Sequence, residues 1–158
     1  MSARAAWRLE SLGFTAVYRY TAGKADWFAS GLPIAGTRAS IPRVGDLARR
    51  DVPTCGLQER LGEVRERVQV AGWDVCLVVN ERNIVLGRLR RSALAAEPSA
   101  IAEAVMEEGP TTYRLDRVAE EVATYLAERK VASVLITGSD GELIGVFFRD
   151  DAGQEQAG

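Results

Sequence analysis

The chain has 158 residues, 47% hydrophobic and 27% charged, with a net charge of −2. This fits one or two small globular domains, with no basic footprint for nucleic acid and no apolar run near the roughly 20 residues of a membrane span. Histidine is absent and the two cysteines stand 21 positions apart, which excludes Ser-His and Cys-His nucleophiles, CxxC redox chemistry and the usual zinc spacings.

The first residues, "MSARAAWRLE", carry charge throughout and lack the apolar stretch of a secretion signal, so the cytoplasm is the expected location. Ala5, Ala6, Leu9 and Leu12 predict one apolar helix face, ended by Gly13. A strand "AVYRY" is expected next, then a short helix over residues 25–30 and the closing "GLP". "SARAAWRL" and "GKADWFASGLP" resemble the C-terminal third of a rhodanese domain, which implies an α-β-α appendage over residues 1–36. In that family the nucleophilic cysteine lies shortly before the serine that Ser2 matches, and no cysteine occurs here before Cys55. Sulfur transfer is therefore not expected; either the chain is truncated or the remnant persists as packing. Residues 37–50 read as a linker in which Val44 and Leu47 begin a short lead-in helix.

The remainder is written twice. Pro53-Thr54 matches Pro110-Thr111, an offset of 57, and Gly87 matches Gly145, an offset of 58, so the second copy is expected to carry one extra residue in its hairpin turn. Leu57, Leu61, Val64 and Val68 predict a helix in the first copy, and Leu115, Val118, Val122 and Leu126 in the second. Asp116 is the expected N-cap of the second helix, with Arg129 and Lys130 suiting its C-terminal dipole. Buried strands "VCLVV" and "SVLIT" follow, then the turns "NERN" and "GSDG" and the strands "IVLGRL" and "LIGVFF". Each copy is thus β-α-β-β, with a short helix "RSALAAE" after the first. "PSAIAEAVMEEG" reads as an amphipathic helix between copies, using Ile101, Val105 and Met106. One unit cannot bury both faces of its strands alone, so two are expected to pack about a pseudo-twofold axis. Cys76 in "VCLVV" is expected in the core, and Cys55 in "PTCG" at a turn with room to be exposed.

The stretches "VMEEGPTT" and "LITGSDGELIGV", with "VPT" and "NIVLGRL" in the first copy, resemble a tandem pair of CBS domains over residues 43–151. The resemblance implies an α+β fold of two β-α-β-β(-α) repeats, with the first at 51–97, an inter-repeat helix and the second at 98–151, and a disordered tail at 152–158. It also implies a homodimer, a non-catalytic regulatory role, and an adenosine ligand such as AMP, ATP or S-adenosylmethionine between the repeats. The family's pattern is Gly, two apolar residues, Thr or Ser, two residues, then an Asp that accepts from both ribose hydroxyls. The second copy keeps the acid at Asp151 but has Phe148 at the hydroxyl position; the first has Arg90 there and Ala93 in place of the acid. Thr54, Thr111 and Thr112 stand where family members approach the base, and Arg90 and Arg91, beside Arg88, are suited to phosphate. Plainer readings stand beside these: turn chemistry for the threonines, a solvated basic edge for the arginines, a frayed acidic end for Asp150 and Asp151. The departures leave two competing functions, an adenosine sensor and a structural or dimerising module without ligand. A sulfurtransferase fragment is the third.

Overall fold

The computed structural model describes residues 3–18, 27, 32 and 41–152. Helix α1 spans Ala3–Ser11 and ends as expected at Gly13, whose φ of +91° is one that a side chain rarely tolerates. Residues 14–18 form no strand, and Trp27 is helical. The rest of the expected strand, short helix and closing turn lies outside the described residues, apart from Leu32.

The elements then run α2 (Val44–Leu47), β1 (Thr54–Cys55), α3 (Leu61–Ala71), β2 (Cys76–Val79), β3 (Val85–Leu89) and α4 (Arg91–Leu94). They continue with α5 (Ala102–Val105), β4 (Glu107–Glu108), β5 (Thr112–Arg114), α6 (Ala119–Glu128), β6 (Ser133–Thr137) and β7 (Leu143–Phe148). Two sheets result, ordered β1-β2-β3-β4 and β5-β6-β7. In each, the first pair is parallel and the second antiparallel, the outcome expected of β-α-β-β. Cys55 is a correction: it lies in β1 and is buried, because its side chain faces the core beneath α3.

The register corrects the sequence alignment. Thr54 pairs with Leu77 and Thr112 with Leu135; Val79 pairs with Val85 and Thr137 with Leu143. Every one of these matches at the glycine offset, so the hairpins are equal in length and it is the prolines that are one residue out of step. Even the irregularity recurs, between Val78 and Val79 in one hairpin and between Ile136 and Thr137 in the other. The contacts between the copies obey the same rule. The bridge Arg43↔Val118 has its mate in Arg60↔Ile101, and Arg49↔Val146 in Glu107↔Arg88. Ile84↔Glu142 is its own mate, and so lies on the pseudo-twofold axis.

Each copy therefore lends a segment to the other. Residues just before the second copy form β4 on the edge of β3, and Arg49, just before the first, pairs with Val146 of β7. This explains the repeated glycines. A Cβ on Gly87 would meet the Met106 sulfur, and one on Gly145 would fall on the Arg49 carbonyl, because the lent segment crosses the strand at that point. It also explains why the inter-copy helix is short: after Val105 the backbone is drawn into β4. The helix starts differ from expectation for a related reason. The Leu61 N–H donates to the Ala100 carbonyl (2.9 Å) and the Ala119 N–H to that of Pro42 (3.0 Å). A carbonyl from the other half does the work of a cap, so the N-cap of α6 is Val118, which makes no side-chain bond, and Asp116 lies outside the helix.

Helix α3 closes on Gly72 at φ +71°, and its counterpart Lys130 adopts φ +56° beyond α6. Lysine in the left-handed region carries a steric cost that glycine lacks. Lys130→Gly is expected to stabilise the protein by about 0.5–1 kcal/mol, read as a higher urea midpoint at unchanged slope; a lower midpoint would contradict it.

Among the described residues there are three cores, one beneath each long helix of the repeats and one that joins the halves. Leu61, Val64, Val68, Cys76, Val78 and Leu89 pack beneath α3, and Val122, Leu126, Ile136 and Phe147 beneath α6, joined by Val44 from α2. Val52, Leu77, Leu135 and Val146 form the third, between the sheets, with Trp73 and Phe148 at its margin.

Candidate functional site

The parallel register places Thr111 and Thr112 on one side of the first residues of β6, and the segment after Phe148, which ends in Asp151, on the other. Thr54 and the Arg90–Arg91 pair flank the start of β2 in the same way. The expected residues thus fall into two groups related by the pseudo-twofold, each a candidate half-site, rather than one constellation.

In the second half-site Asp151 is no frayed tail. Its carboxylate accepts two hydrogen bonds from Arg49, Nε at 3.0 Å and Nη2 at 2.7 Å. The Arg49 guanidinium also lies 4.6 Å above the Phe148 ring, and that ring packs against Trp73 of the first copy at 5.8 Å. Phe148 stands at the position where a hydroxyl was sought, and this packing is what the aromatic ring does there. The Asp151 side chain is 14% exposed and that of Arg49 is 53% exposed, so the acid forms the floor and the arginine the cover. Thr111 and Thr112 are exposed at the start of β5.

In the first half-site the polarity reverses. Glu107 occupies the place of Arg49 and binds Arg88 through two bonds, 2.9 and 2.7 Å, and Arg90 through one of 2.9 Å. Arg88, and then Arg90, hold the Glu107 carboxyl down at about 2. Two of the arginines expected to face phosphate are thus engaged by a carboxylate from the lent strand. Because the Glu107 carboxyl is depressed in the folded state, its contribution is complete above the ordinary carboxylate range and fades as pH falls toward about 2. Arg91 lines a cavity of about 430 Å³ with Trp73, Asp74 and Arg65.

Thr54 borders a larger cavity of about 910 Å³ with Cys55, Glu59, Arg67 and the turn residues Asn80–Arg82. Glu59 accepts from Arg67 Nη2 and from the Gly56 N–H, each at 2.7 Å; burial pushes its carboxyl up, but these bonds outweigh it and hold it below the usual range. Cys76 lies against Cys55, and that contact together with burial raises the Cys76 thiol far above where a thiolate forms. Cys76 is the core residue the sequence indicated. Among the described residues, no group of three or more His, Cys, Asp or Glu side chains could hold a metal ion, and no helix is long and apolar enough to cross a membrane.

No protein-family model matches this chain, and no curated protein matches it. Solved structures do. The CBS domains of a transcriptional regulator from Streptococcus pneumoniae superpose with a TM-score of 0.64 at 19% identity, over 73% of this chain and 99% of that one. The chain has the fold of a tandem CBS pair. Two further CBS-type structures are the cytosolic domain of the Mg2+ channel MgtE in complex with ATP and CBSX2 in complex with AMP. The first has a TM-score of 0.63 at 22% identity, covering 72% of this chain and 49% of that one. The second has a TM-score of 0.62 at 18% identity, covering 72% of this chain and 95% of that one. This chain therefore spans about half the length of the MgtE domain.

The partner of Asp151 is Arg49, a residue the sequence reading passed over. Trp73 and Glu107 were likewise missed. The signal that finds two of them is the offset: Arg49 and Glu107 are equivalent positions with opposite charges, and each meets charges at the end of the other copy's last strand.

Proposed function

We propose that this chain is a non-catalytic regulatory CBS pair that senses an adenosine-containing ligand at the second half-site. The observation that carries the reading is the pair of hydrogen bonds from Arg49 to Asp151. A carboxylate that takes two parallel donors beside an aromatic ring is suited to the two hydroxyls of a ribose, which supports this reading. Thr111 and Thr112 stand across β6 to meet the base, and Arg91 and Arg90 are the nearest equivalents in the first half-site. The MgtE domain with ATP and CBSX2 with AMP support a nucleotide as the first choice, and S-adenosylmethionine has no counterpart among those structures. Homodimerisation through the CBS pair belongs to the same reading. Residues 1–36 are read as a rhodanese-like appendage to the CBS pair.

Calorimetry with AMP and ATP tests the proposal. Binding is expected at no more than one site per chain, since only one half-site has the acid, and Asp151→Ala is expected to weaken it by about tenfold or more. A ligand at a hundred times its dissociation constant would stabilise the fold by about 2.7 kcal/mol, visible as a thermal shift. Two equal sites, or unchanged affinity in Asp151→Ala, would refute the assignment. The second reading, a structural module without ligand, draws on the same ion pairs, because Arg49 and Glu107 already satisfy the groups a nucleotide would use. Absence of binding at millimolar nucleotide would favour it.

A further inference from the structure

Resting on the adenosine reading, we infer that Arg49 is an exchangeable cover which makes the site select 5′-phosphorylated adenosine ligands over adenosine itself. Three features of Arg49 lead there. Its backbone is pinned in both directions, its N–H donating to the Val146 carbonyl (2.8 Å) and its carbonyl accepting from the Val146 N–H (2.9 Å). Its side chain is more than half exposed, so the guanidinium swings from a fixed anchor with solvent on one side. It holds both oxygens of Asp151 and covers the ring beside it, so a ribose diol reaches Asp151 only after the guanidinium has left.

Leaving is inexpensive. A partly exposed ion pair and an exposed cation–π contact are each weak, and their loss lowers affinity by about tenfold or less. For adenosine that loss is not recovered. For a nucleotide it is, because the 5′-phosphate lies one sugar away from the diol and the displaced guanidinium, anchored at Val146, can pair with it through two parallel bonds. The diol takes the acid's hydrogen bonds and the guanidinium takes the phosphate, so neither the Asp151 carboxylate nor the Arg49 guanidinium is left without hydrogen-bond partners. The first half-site carries no such exchange: Ala93 stands where the acid would be, and the lent residue is the anion Glu107.

The test is calorimetric titration of adenosine and of AMP into the full chain, its Arg49→Ala and Arg49→Lys variants, and Asp151→Ala. The parent is expected to prefer AMP by about tenfold or more. In Arg49→Ala, adenosine is expected to bind about three- to tenfold more tightly than in the parent and AMP more weakly, so that the preference collapses. Arg49→Lys, which keeps the charge without the planar fork and guards against a folding defect in the alanine variant, is expected to restore part of it. An unchanged AMP-to-adenosine ratio in Arg49→Ala overturns the exchange; if Asp151→Ala then still weakens both ligands, the sensing reading stands without it. Failure of both ligands to bind the parent and Arg49→Ala alike overturns the two together.

Discussion

Replacing Gly145 by alanine is expected to cost about 3 kcal/mol, whereas the equivalent change at Gly87 should cost about 1 kcal/mol. The positions match in the repeat and in the sheet, so sequence alone gives no reason for a difference. The obstacles do differ. At Gly87 the new methyl meets chiefly the Met106 sulfur and Cγ, a flexible side chain that can turn away, and the equivalent backbone carbonyl, that of Glu107, stands farther off at 3.1 Å. At Gly145 it meets the carbonyl of Arg49, with the carbonyl carbon at 3.0 Å and the Ala48 methyl at 3.3 Å. That carbonyl is held by the Val146 N–H and cannot move unless the lent segment leaves β7. Urea unfolding of the two variants measures the difference. Equal costs would mean that the Arg49 segment yields as easily as a methionine side chain, and would remove the rigid anchor on which the exchange at Asp151 depends.

The same crossing marks the limit of what the sequence reveals. Apolar periodicity identified the faces of α3 and α6, because Val64, Val68, Val122 and Leu126 answer to burial under a helix and to little else. The hairpins were equally plain, since "GSDG" and the runs before and after it satisfy local turn and strand chemistry. What could not be read were features stabilised by the other half of the molecule. Glu107 and Glu108 are poor strand formers and read as a helix tail, yet β3 offers them a ladder, and tertiary pairing overrides propensity. Asp116 has the chemistry of a cap, but the Pro42 carbonyl reaches the helix first. The acid at Asp151 was visible as a residue, whereas its partner lies 102 positions earlier and becomes apparent only through the repeat. The candidate site was therefore half legible: the carboxylate from its place just after a strand, the arginine that covers it only from the fold.

Truncating Phe147 to alanine is expected to cost about 3–5 kcal/mol and to unfold both repeats in one transition. Phe147 is fully buried beneath α6, where its removal leaves a cavity lined by Val134, Ile136 and Leu126 that the sheet cannot close. If the repeats were independent, the first would survive the loss. Their construction argues otherwise. The start of α3 depends on the Ala100 carbonyl and the start of α6 on that of Pro42. The edge of β3 is covered by the strand leading into the second repeat, and Leu77 and Leu135 share the core between the sheets. Melting the second repeat thus bares the first repeat's helix start, its sheet edge and one face of its strands. Trp73 reports on this directly, since it belongs to the first repeat but packs on Phe148 of the second. In a Trp7→Phe, Trp27→Phe background, Trp73 fluorescence and far-UV circular dichroism should lose signal at the same urea concentration, lowered equally by Phe147→Ala. A fluorescence midpoint that stays at the parent value while helix content falls would show that the first repeat stands alone, and the exchange of segments would then add contact without adding cooperativity.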